Sequence, residues 1–497
     1  MAITAKDCLP FKNGKGNAIQ DASFKPLTQF VNSIKPISIL ELSSLPSDEE
    51  SKLAYSPLEN QPFPIKEGDE VKYQQVWQAG RYVGSTTIYG KTIEIEPRFG
   101  TIWLVSILED LFHFKLTDSE NQSGRGYLNK LMRIILWRLW LRKFAAADQY
   151  GLPRRVVKRV HQGLQIKGHL NVRKSLFPLF TKRQVVSEYR EKEIDDTICR
   201  VVYKAYSILV NNKMNYVPEQ IQDSLNSLYS FYQGQLISVS EHDYHDINYK
   251  SIYLSWKPLV DFSWQIIKQE IFNQQQKKEG ESYSIFLDMA EIWEAYLRKK
   301  LGEGLKDQSW RVLSVEECTY MIYERKFYER KIIPDIILER ENGGVKQYMV
   351  FDAKYKRMRG TKTSAKYSDV DRSDLFQIHT YIHYVQTHMG EVVLGGLLYP
   401  ITQKGKNEDG TEYEINDIDI DKYHSERLFG GSAKDGDTRF IIDGILCPEK
   451  EEDEKPNKKE SDDERKKRIE REKKEMEEFK KRTNAMIERI RNLIPKP

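Results

Sequence analysis

The chain has 497 residues, which is enough for several domains and a large buried core. Its 78 basic and 74 acidic residues nearly balance, so overall charge neither demands nor excludes nucleic acid as a partner. Four scattered cysteines without a C-x-x-C pair argue against a zinc-thiolate cluster, and the absence of a signal-like start or of ~18 consecutive apolar residues favours a cytoplasmic protein without membrane contact.

The first segments predict an extension followed by a β-rich domain. Residues 1–69 have a mixed composition punctuated by Pro and Ser, and we assign them to an N-terminal extension. Residues 70–125 contain short apolar runs separated by glycines, as in a small sheet or partial barrel. The apolar run at 102–114 then predicts a helix.

Residues 126–280 predict a mostly helical region that contains one basic strand. The stretch 126–150 is apolar at helical spacing, and its Trp137 and Trp140 are more typical of core packing than of base stacking. Residues 154–160 mix cations with valines, which predicts a strand whose basic side chains contact DNA phosphates or, equally, form a solvated face. These side chains are Arg154, Arg155, Lys158 and Arg159.

The stretch 330–356 predicts a β-hairpin that carries acidic residues. Two β-prone apolar runs flank a Gly-containing turn at 340–344. Asp335 falls in the first predicted strand, and Asp352 and Lys354 end the second. Side chains alternate along a strand, so Asp352 and Lys354 share a face to which the hairpin brings Asp335.

These residue types together are typical of phosphodiester hydrolysis. Two carboxylates supply hard oxygen ligands for Mg²⁺, and a bound metal lowers the pKa of its water and neutralises charge on a phosphoryl group. A neighbouring lysine orients that water or accepts its proton. For a D-x-K triplet alone, the simpler interpretation is two strand-end carboxylates and a solvated lysine.

Helices are predicted on both sides of the hairpin. Residues 286–297 have apolar side chains at helical spacing, and a downstream helix places Gln377 and Tyr381 one turn apart on one side. A buried strand is predicted at 392–399. The charged tail, 448–497, ends in a helix with apolar residues at seven-residue intervals, which is typical of packing against itself or a partner.

The order Pro334-Asp335, hairpin, Asp352-Ala353-Lys354 resembles the PD-(D/E)XK nuclease superfamily. The resemblance implies an α/β nuclease domain over 281–447, with a mixed sheet flanked by helices. It also implies that the two aspartates hold Mg²⁺, with Mn²⁺ as a substitute, and that Lys354 acts on the attacking water.

Further residues take expected roles from the same resemblance. A glutamate on the preceding helix is expected at the metal; Glu294 is the preferred candidate and Glu291 its competitor. Gln377 on the following helix is expected to support catalysis. We expect Tyr355 and Lys356, which follow the D-A-K triplet, to contact DNA.

A second pattern resembles the amino-terminal region of McrC proteins, the nuclease subunits of McrBC-type modification-dependent restriction systems. The matching residues are Tyr82, Val83, Gly84, Gly90, Ile93, Ile95, Pro97, Arg98 and Gly100. The likeness spans roughly residues 70–400 and implies an endonuclease subunit that cuts double-stranded DNA with an AAA+ McrB-like partner, typically a GTPase. It implies that residues 70–125 dock into this partner. A catalytically silent scaffold and a stand-alone nuclease remain the alternatives.

Overall fold

The computed structural model describes residues 3–33, 52–59, 63–67, 70–112, 127–210, 217–275, 285–314, 317–318, 320–321, 331–356, 358–359, 370–402, 404–406, 412–414, 424–425, 438–447 and 462–494. The fold is mixed α/β, as expected, and divides into two compact units. The first comprises Met1–Leu131 with Gly280–Pro497, and the second comprises Met132–Glu279. No helix within the described ranges is long and apolar enough to cross a membrane.

The first unit begins with a small sheet built from distant parts of the chain. The elements in this first part of the unit are β1 (Ile3–Lys6), α1 (Lys25–Ser33), β2 (Ala54–Tyr55), β3 (Phe63–Glu67), β4 (Glu70–Gln74), β5 (Gln78–Ala79), β6 (Tyr82–Ile88), β7 (Lys91–Glu96) and α2 (Thr101–Phe112). The sheet order is β1-β7-β6 and then β11 (Ile285–Asp288), with β1 parallel to β7. Ile93 and Ile95 on β7 are fully buried and Glu94 between them is half-buried, so one face of this strand packs on the core.

The remainder of this unit carries the larger sheet. Its elements are α9 (Met289–Gly304), β12 (Arg311–Val312), β13 (Tyr320–Met321), β14 (Lys331–Ile332), β15 (Ile336–Asn342), β16 (Val345–Ala353), β17 (Met358–Arg359), α10 (Arg372–His388), β18 (Glu391–Thr402), β19 (Lys404–Lys406), β20 (Glu412–Glu414), β21 (His424–Ser425), β22 (Arg439–Cys447) and α11 (Asp462–Leu493). The sheet order is β12-β15-β16-β18-β22-β21.

The predicted hairpin is confirmed as the antiparallel pair β15 and β16. Gly343 and Gly344 connect the strands with φ angles of 59° and 80°, a left-handed conformation that glycine adopts without strain. β18 then runs parallel to β16, and β22 runs parallel to β18, so the sheet is mixed. Gly396 lets β22 approach closely, because a Cβ there would lie 2.0 Å from the carbonyl oxygen of Ile441.

Helices cover this sheet and build its core. α10 is the predicted downstream helix, and it buries Ile378 and Ile382 against β16 and β18. The predicted upstream helix begins at Met289 rather than at Phe286, because residues 285–288 pair with β6 as a strand. On α11, Met486 and Ile490 are fully buried, and the helix packs on α2, α9 and β22. The second half of the tail is therefore part of the core of this unit.

The second unit combines helices with one small sheet. Its elements are α3 (Tyr127–Ala147), β8 (Arg154–Gly163), β9 (His169–Leu170), α4 (Val172–Lys182), β10 (Val185–Ile194), α5 (Asp196–Val210), α6 (Glu219–Tyr232), α7 (Glu241–His245) and α8 (Lys257–Gln275). Trp137 and Trp140 stack with centroids 6.0 Å apart and are buried, and the Trp140 indole N–H donates to Ser263 Oγ at 2.9 Å. Core packing of these tryptophans is confirmed.

Candidate active site

The β15–β16 hairpin places the predicted acid pair at one end of the larger sheet. Asp335 lies one residue before β15 rather than within it, and its Oδ2 accepts a hydrogen bond from the Ala353 backbone N–H at 2.8 Å. Asp352 lies within β16 and is 1% exposed. Ile336 pairs with Phe351, so Asp335 and Asp352, the next residues along the two strands, lie opposite each other. Burial, followed by the charges of Asp352 and Glu294, raises the pKa of Asp335 well above its usual range.

Helix α9 brings Glu294 to this acid pair. The helix is capped by Asp288, which accepts from the Ala290 N–H at 2.9 Å, and the Trp293 indole N–H donates to the Leu398 carbonyl oxygen at 3.2 Å. Burial raises the pKa of Glu294 to about 8; the charges of Glu291 and Asp352 add to this, while the Arg298 guanidinium opposes it. The charge interaction with both aspartates supports Glu294, the preferred candidate, as the third carboxylate.

Lys354 is held in place by groups from the strand and from α10. Its Nζ lies 2.9 Å from Asp352 Oδ2 and donates to Gln377 Oε1 at 2.8 Å. The Gln377 amide in turn donates to the Tyr381 hydroxyl at 2.7 Å. Burial by itself would lower the pKa of Lys354, but the adjacent carboxylates of Asp352, Asp335 and Asp374 outweigh it and raise the pKa. The structure thus brings the predicted pair Lys354 and Gln377 into direct contact.

Asp374 is a site residue that the sequence reasoning missed. It lies in the first turn of α10, is 3% exposed, and has an oxygen 3.6 Å from Lys354 Nζ. Its other cation partner is Lys356, which also binds Asp371 at 2.7 Å. The sequence signal was the spacing from Asp374 to Gln377, which places both side chains on one face of a helix.

Tyr355 does not occupy the position expected of a DNA contact. Its side chain is buried, at 5% exposure, and its ring covers the Arg98 guanidinium at 4.5 Å from the ring centroid. Arg98 is buried as well, and its backbone N–H donates to Asp7 Oδ1 at 2.5 Å. Arg98 and Asp7 belong to the small sheet and its edge, so Tyr355 links that sheet to the strand that carries the site. We correct its expected role from DNA contact to packing.

The predicted basic strand forms as β8 in the second unit. It pairs antiparallel with β10, and its basic side chains are exposed. These are Arg154, Arg155, Lys158 and Arg159. Arg159 forms an ion pair with Glu193 on β10, and its Nε lies 3.8 Å from Glu191 Oε2. Part of the positive charge is therefore compensated within the sheet, and contact of the strip with DNA stays a prediction.

The donor set at the end of β16 fits a divalent cation. Both Asp352 oxygens are buried and, in the described part of the chain, accept no well-aligned hydrogen bond; their ion-pair partner is Lys354. Among the described residues, no three His, Cys, Asp or Glu side chains are gathered as a ready metal cluster. Mg²⁺ nevertheless is usually held by one or two carboxylates and keeps several waters. Asp335 and Asp352, with Glu294 nearby, have the chemistry that it requires.

Comparison with solved structures gives distant likenesses. One is the refined half-complex from a tetradecameric assembly of Thermococcus gammatolerans McrB AAA+ hexamers with bound McrC, at 14% identity and a TM-score of 0.47, covering 95% of this chain and 100% of that chain. Another is the cryo-EM structure of the Thermococcus gammatolerans McrBC complex, at 15% identity and a TM-score of 0.33, covering 61% of this chain and 88% of that chain.

The sequence comparisons decide the family. No curated protein sequence matches the chain significantly. The profile of the family described as "McrBC 5-methylcytosine restriction system component" matches residues 77–400, which is well over half of the chain and includes β6, β7 and β11 of the small sheet, the second unit and the β15–β16 hairpin. The chain therefore belongs to the McrBC 5-methylcytosine restriction system component family.

Proposed function

We propose that this chain is the Mg²⁺-dependent endonuclease subunit of a McrBC-type restriction system and hydrolyses DNA when coupled to an AAA+ NTPase. The observation that carries the proposal is that Asp335, Asp352 and Lys354 lie together at the end of β16. Glu294 interacts electrostatically with both aspartates. A hairpin followed by a parallel strand, covered by α9 and α10, supports a PD-(D/E)XK-type nuclease domain.

Each residue has a separate role in the proposed reaction. Asp335 and Asp352, with Glu294 as a third oxygen donor, hold Mg²⁺, for which Mn²⁺ substitutes. When bound, the metal lowers the pKa of a coordinated water and stabilises negative charge at the phosphorus. Lys354 presents an ammonium that orients the attacking water, and Gln377 fixes its direction through the 2.8 Å hydrogen bond.

The proposed partner is an AAA+ NTPase of the McrB type, typically a GTPase. The solved assembly to which the chain is similar contains McrB AAA+ hexamers with bound McrC. In the expected docking region, 70–125, the side chains of β6 are almost all buried, whereas Tyr73 and Tyr89 are 72% and 63% exposed. α4 also exposes Phe177 at 77% and Phe180 at 84%, and Leu164 nearby in the chain is 81% exposed. We therefore propose that the partner contacts residues 70–125 and also covers the apolar surface of α4.

The proposed DNA contacts are the exposed cations of β8. They alternate with Val156 and Val160, which are 53% and 61% exposed, so this strand faces solvent along its length. Phosphate contacts of this kind add affinity without sequence specificity.

The experiment is cleavage of methylated plasmid DNA by the purified chain, with Mg²⁺ and with or without the AAA+ partner and GTP. We expect cleavage only with the partner present, and none from Asp352→Asn or Lys354→Met, both of which should still bind the partner. Cleavage by the chain alone would make it a stand-alone nuclease. Full cleavage by either variant would refute the assigned roles, and stimulation of the partner NTPase without any cleavage would indicate a silent scaffold.

A further inference from the structure

The first turn of α10 holds a buried carboxylate between two lysines of the strand end. Asp374 lies 2.9 and 3.0 Å from Lys356 Nζ through its two oxygens, and 3.6 Å from Lys354 Nζ. The Tyr399 hydroxyl also donates to it at 3.4 Å. A carboxylate that is 3% exposed is retained in a folded protein only when cations and hydrogen bonds compensate its lost hydration.

The two lysines differ in what surrounds them. Lys354 is 14% exposed in its side chain, and its ammonium meets Asp352 and Gln377, which leaves one donor direction for Asp374. Lys356 is 45% exposed in its side chain, but two carboxylates, Asp371 and Asp374, already hold its ammonium. A phosphate at Lys356 would compete with these two carboxylates for the ammonium.

Helix α10 gathers the groups that restrain Lys354. Asp374, Gln377 and Tyr381 follow at spacings of three and four residues and so lie on one face of the helix. Gln377 links Lys354 to Tyr381 by hydrogen bonds of 2.8 and 2.7 Å. A lysine side chain loses the freedom of many rotamers when it is fixed, so a fixed position requires several partners.

We propose that Asp374 is a positioning residue for the cleavage reaction: its buried charge holds the Lys354 ammonium beside Asp352, and Lys356 is the counter-ion of Asp374 instead of a DNA contact. This inference rests on the proposed nuclease function. It assigns different tasks to the two lysines of the D-A-K-Y-K sequence, one acting at the reacting phosphate and one balancing the charge of the helix.

The test compares Asp374→Asn with Asp371→Asn in the coupled cleavage assay, at varied DNA and varied Mg²⁺. Asn keeps the shape of Asp374 but removes its charge. Asp371 is the matched control because it lies at the same helix end and binds Lys356, whereas Lys354 pairs with the carboxylates of Asp352 and Asp374. We expect Asp374→Asn to lower kcat about tenfold with KM for DNA and the half-saturating Mg²⁺ concentration unchanged, and Asp371→Asn to stay within about twofold of the wild type.

A double variant separates positioning from simple charge balance. If Asp374 served only to neutralise Lys356, then Lys356→Gln would restore the rate of Asp374→Asn, whereas we expect the double variant to remain as slow as the single one. Thermal unfolding of all variants shows whether they are folded. If Asp374→Asn alone is unstable, the double variant replaces it in the cleavage assay, because it leaves neither Asp374 nor Lys356 as an unpaired charge.

Three results would overturn the inference. They are restoration by Lys356→Gln, wild-type kcat in Asp374→Asn, and an increase in the Mg²⁺ requirement, which would make Asp374 a metal ligand. The inference fails alone if Asp352→Asn abolishes cleavage while Asp374→Asn keeps the wild-type kcat. If Asp352→Asn cleaves normally, the proposed function itself fails.

Discussion

Replacement of Glu294 by Gln should stabilise the metal-free protein at neutral and alkaline pH. Glu294 has a pKa of about 8 in the folded protein, against 4.5 for an ordinary glutamate, because it is buried and because Glu291 and Asp352 add negative charge. The folded chain therefore binds a proton that the unfolded chain has released, and its stability falls as the pH rises from about 4.5 to about 8. Gln has nearly the same shape as Glu and cannot ionise, so the stability of the variant should not fall in this way as the pH rises.

The expected size follows from the difference between the two pKa values. Between 4.5 and about 8, it corresponds to a cost on the order of 5 kcal/mol for ionising Glu294 in the folded protein. Relaxation of the surroundings and entry of water reduce such costs, so we expect Glu294→Gln to raise the free energy of unfolding by about 1–3 kcal/mol at pH 8.5. The difference from wild type should shrink towards zero near pH 5.

Denaturant unfolding at pH 5, 7 and 8.5, in chelator and in Mg²⁺, measures this effect. In Mg²⁺ the variant should lose part or all of its stability advantage over the wild type. A cation that binds the folded state stabilises it, and the wild type, which keeps the Glu294 carboxylate, should gain more from that binding than the variant. Asp371→Asn serves as the control, since it removes a carboxylate that is exposed rather than buried. A Glu294→Gln variant that is less stable than wild type at pH 8.5 without metal would refute the electrostatic reasoning.

Three further predictions follow from buried or exposed groups elsewhere. Arg98→Met leaves the Asp7 carboxylate buried without its cation and should lower the free energy of unfolding by about 3–5 kcal/mol in denaturant titrations. The double variant that adds Asp7→Asn should lose less stability than the single variant. Equal losses in the single and double variants would contradict the pairing of Arg98 with Asp7. Met486→Ala on α11 removes a fully buried side chain and should cost about 2–5 kcal/mol, whereas a loss below about 0.5 kcal/mol would show that the tail is not part of the core. The double variant Phe177→Ser and Phe180→Ser should weaken binding to the proposed AAA+ partner at least about tenfold, measured by interferometry, and should leave the unfolding transition unchanged. Undiminished binding would show that the partner does not cover α4.

The site was readable from the sequence where local rules determine it. The hairpin follows from two β-prone runs around Gly343 and Gly344, and strand alternation places Asp352 and Lys354 on one face. Helical spacing likewise places Gln377 on the side of α10 that meets Lys354. In each case the information lies within a few residues of the chain.

What the sequence did not reveal depends on contacts between distant segments. The burial of Tyr355 requires Arg98, which is more than two hundred residues away in the chain, and the position of Asp374 requires α10 to lie across the end of β16. The strand at 285–288 reads as the beginning of a helix until its pairing with β6 is known. Tertiary pairing overrides local periodicity at such places.

The acidic cluster is costly to the metal-free fold, and this cost is itself an argument for a cation. Burial and mutual repulsion raise the pKa values of Asp335 and Glu294, and the two Asp352 oxygens accept no well-aligned hydrogen bond from the described residues. If stability alone determined these positions, apolar side chains of similar volume would be favoured over buried carboxylates. A divalent ion would bind these oxygens and lower the pKa values together, so metal-dependent stabilisation and the proposed DNA cleavage should be lost in the same variants.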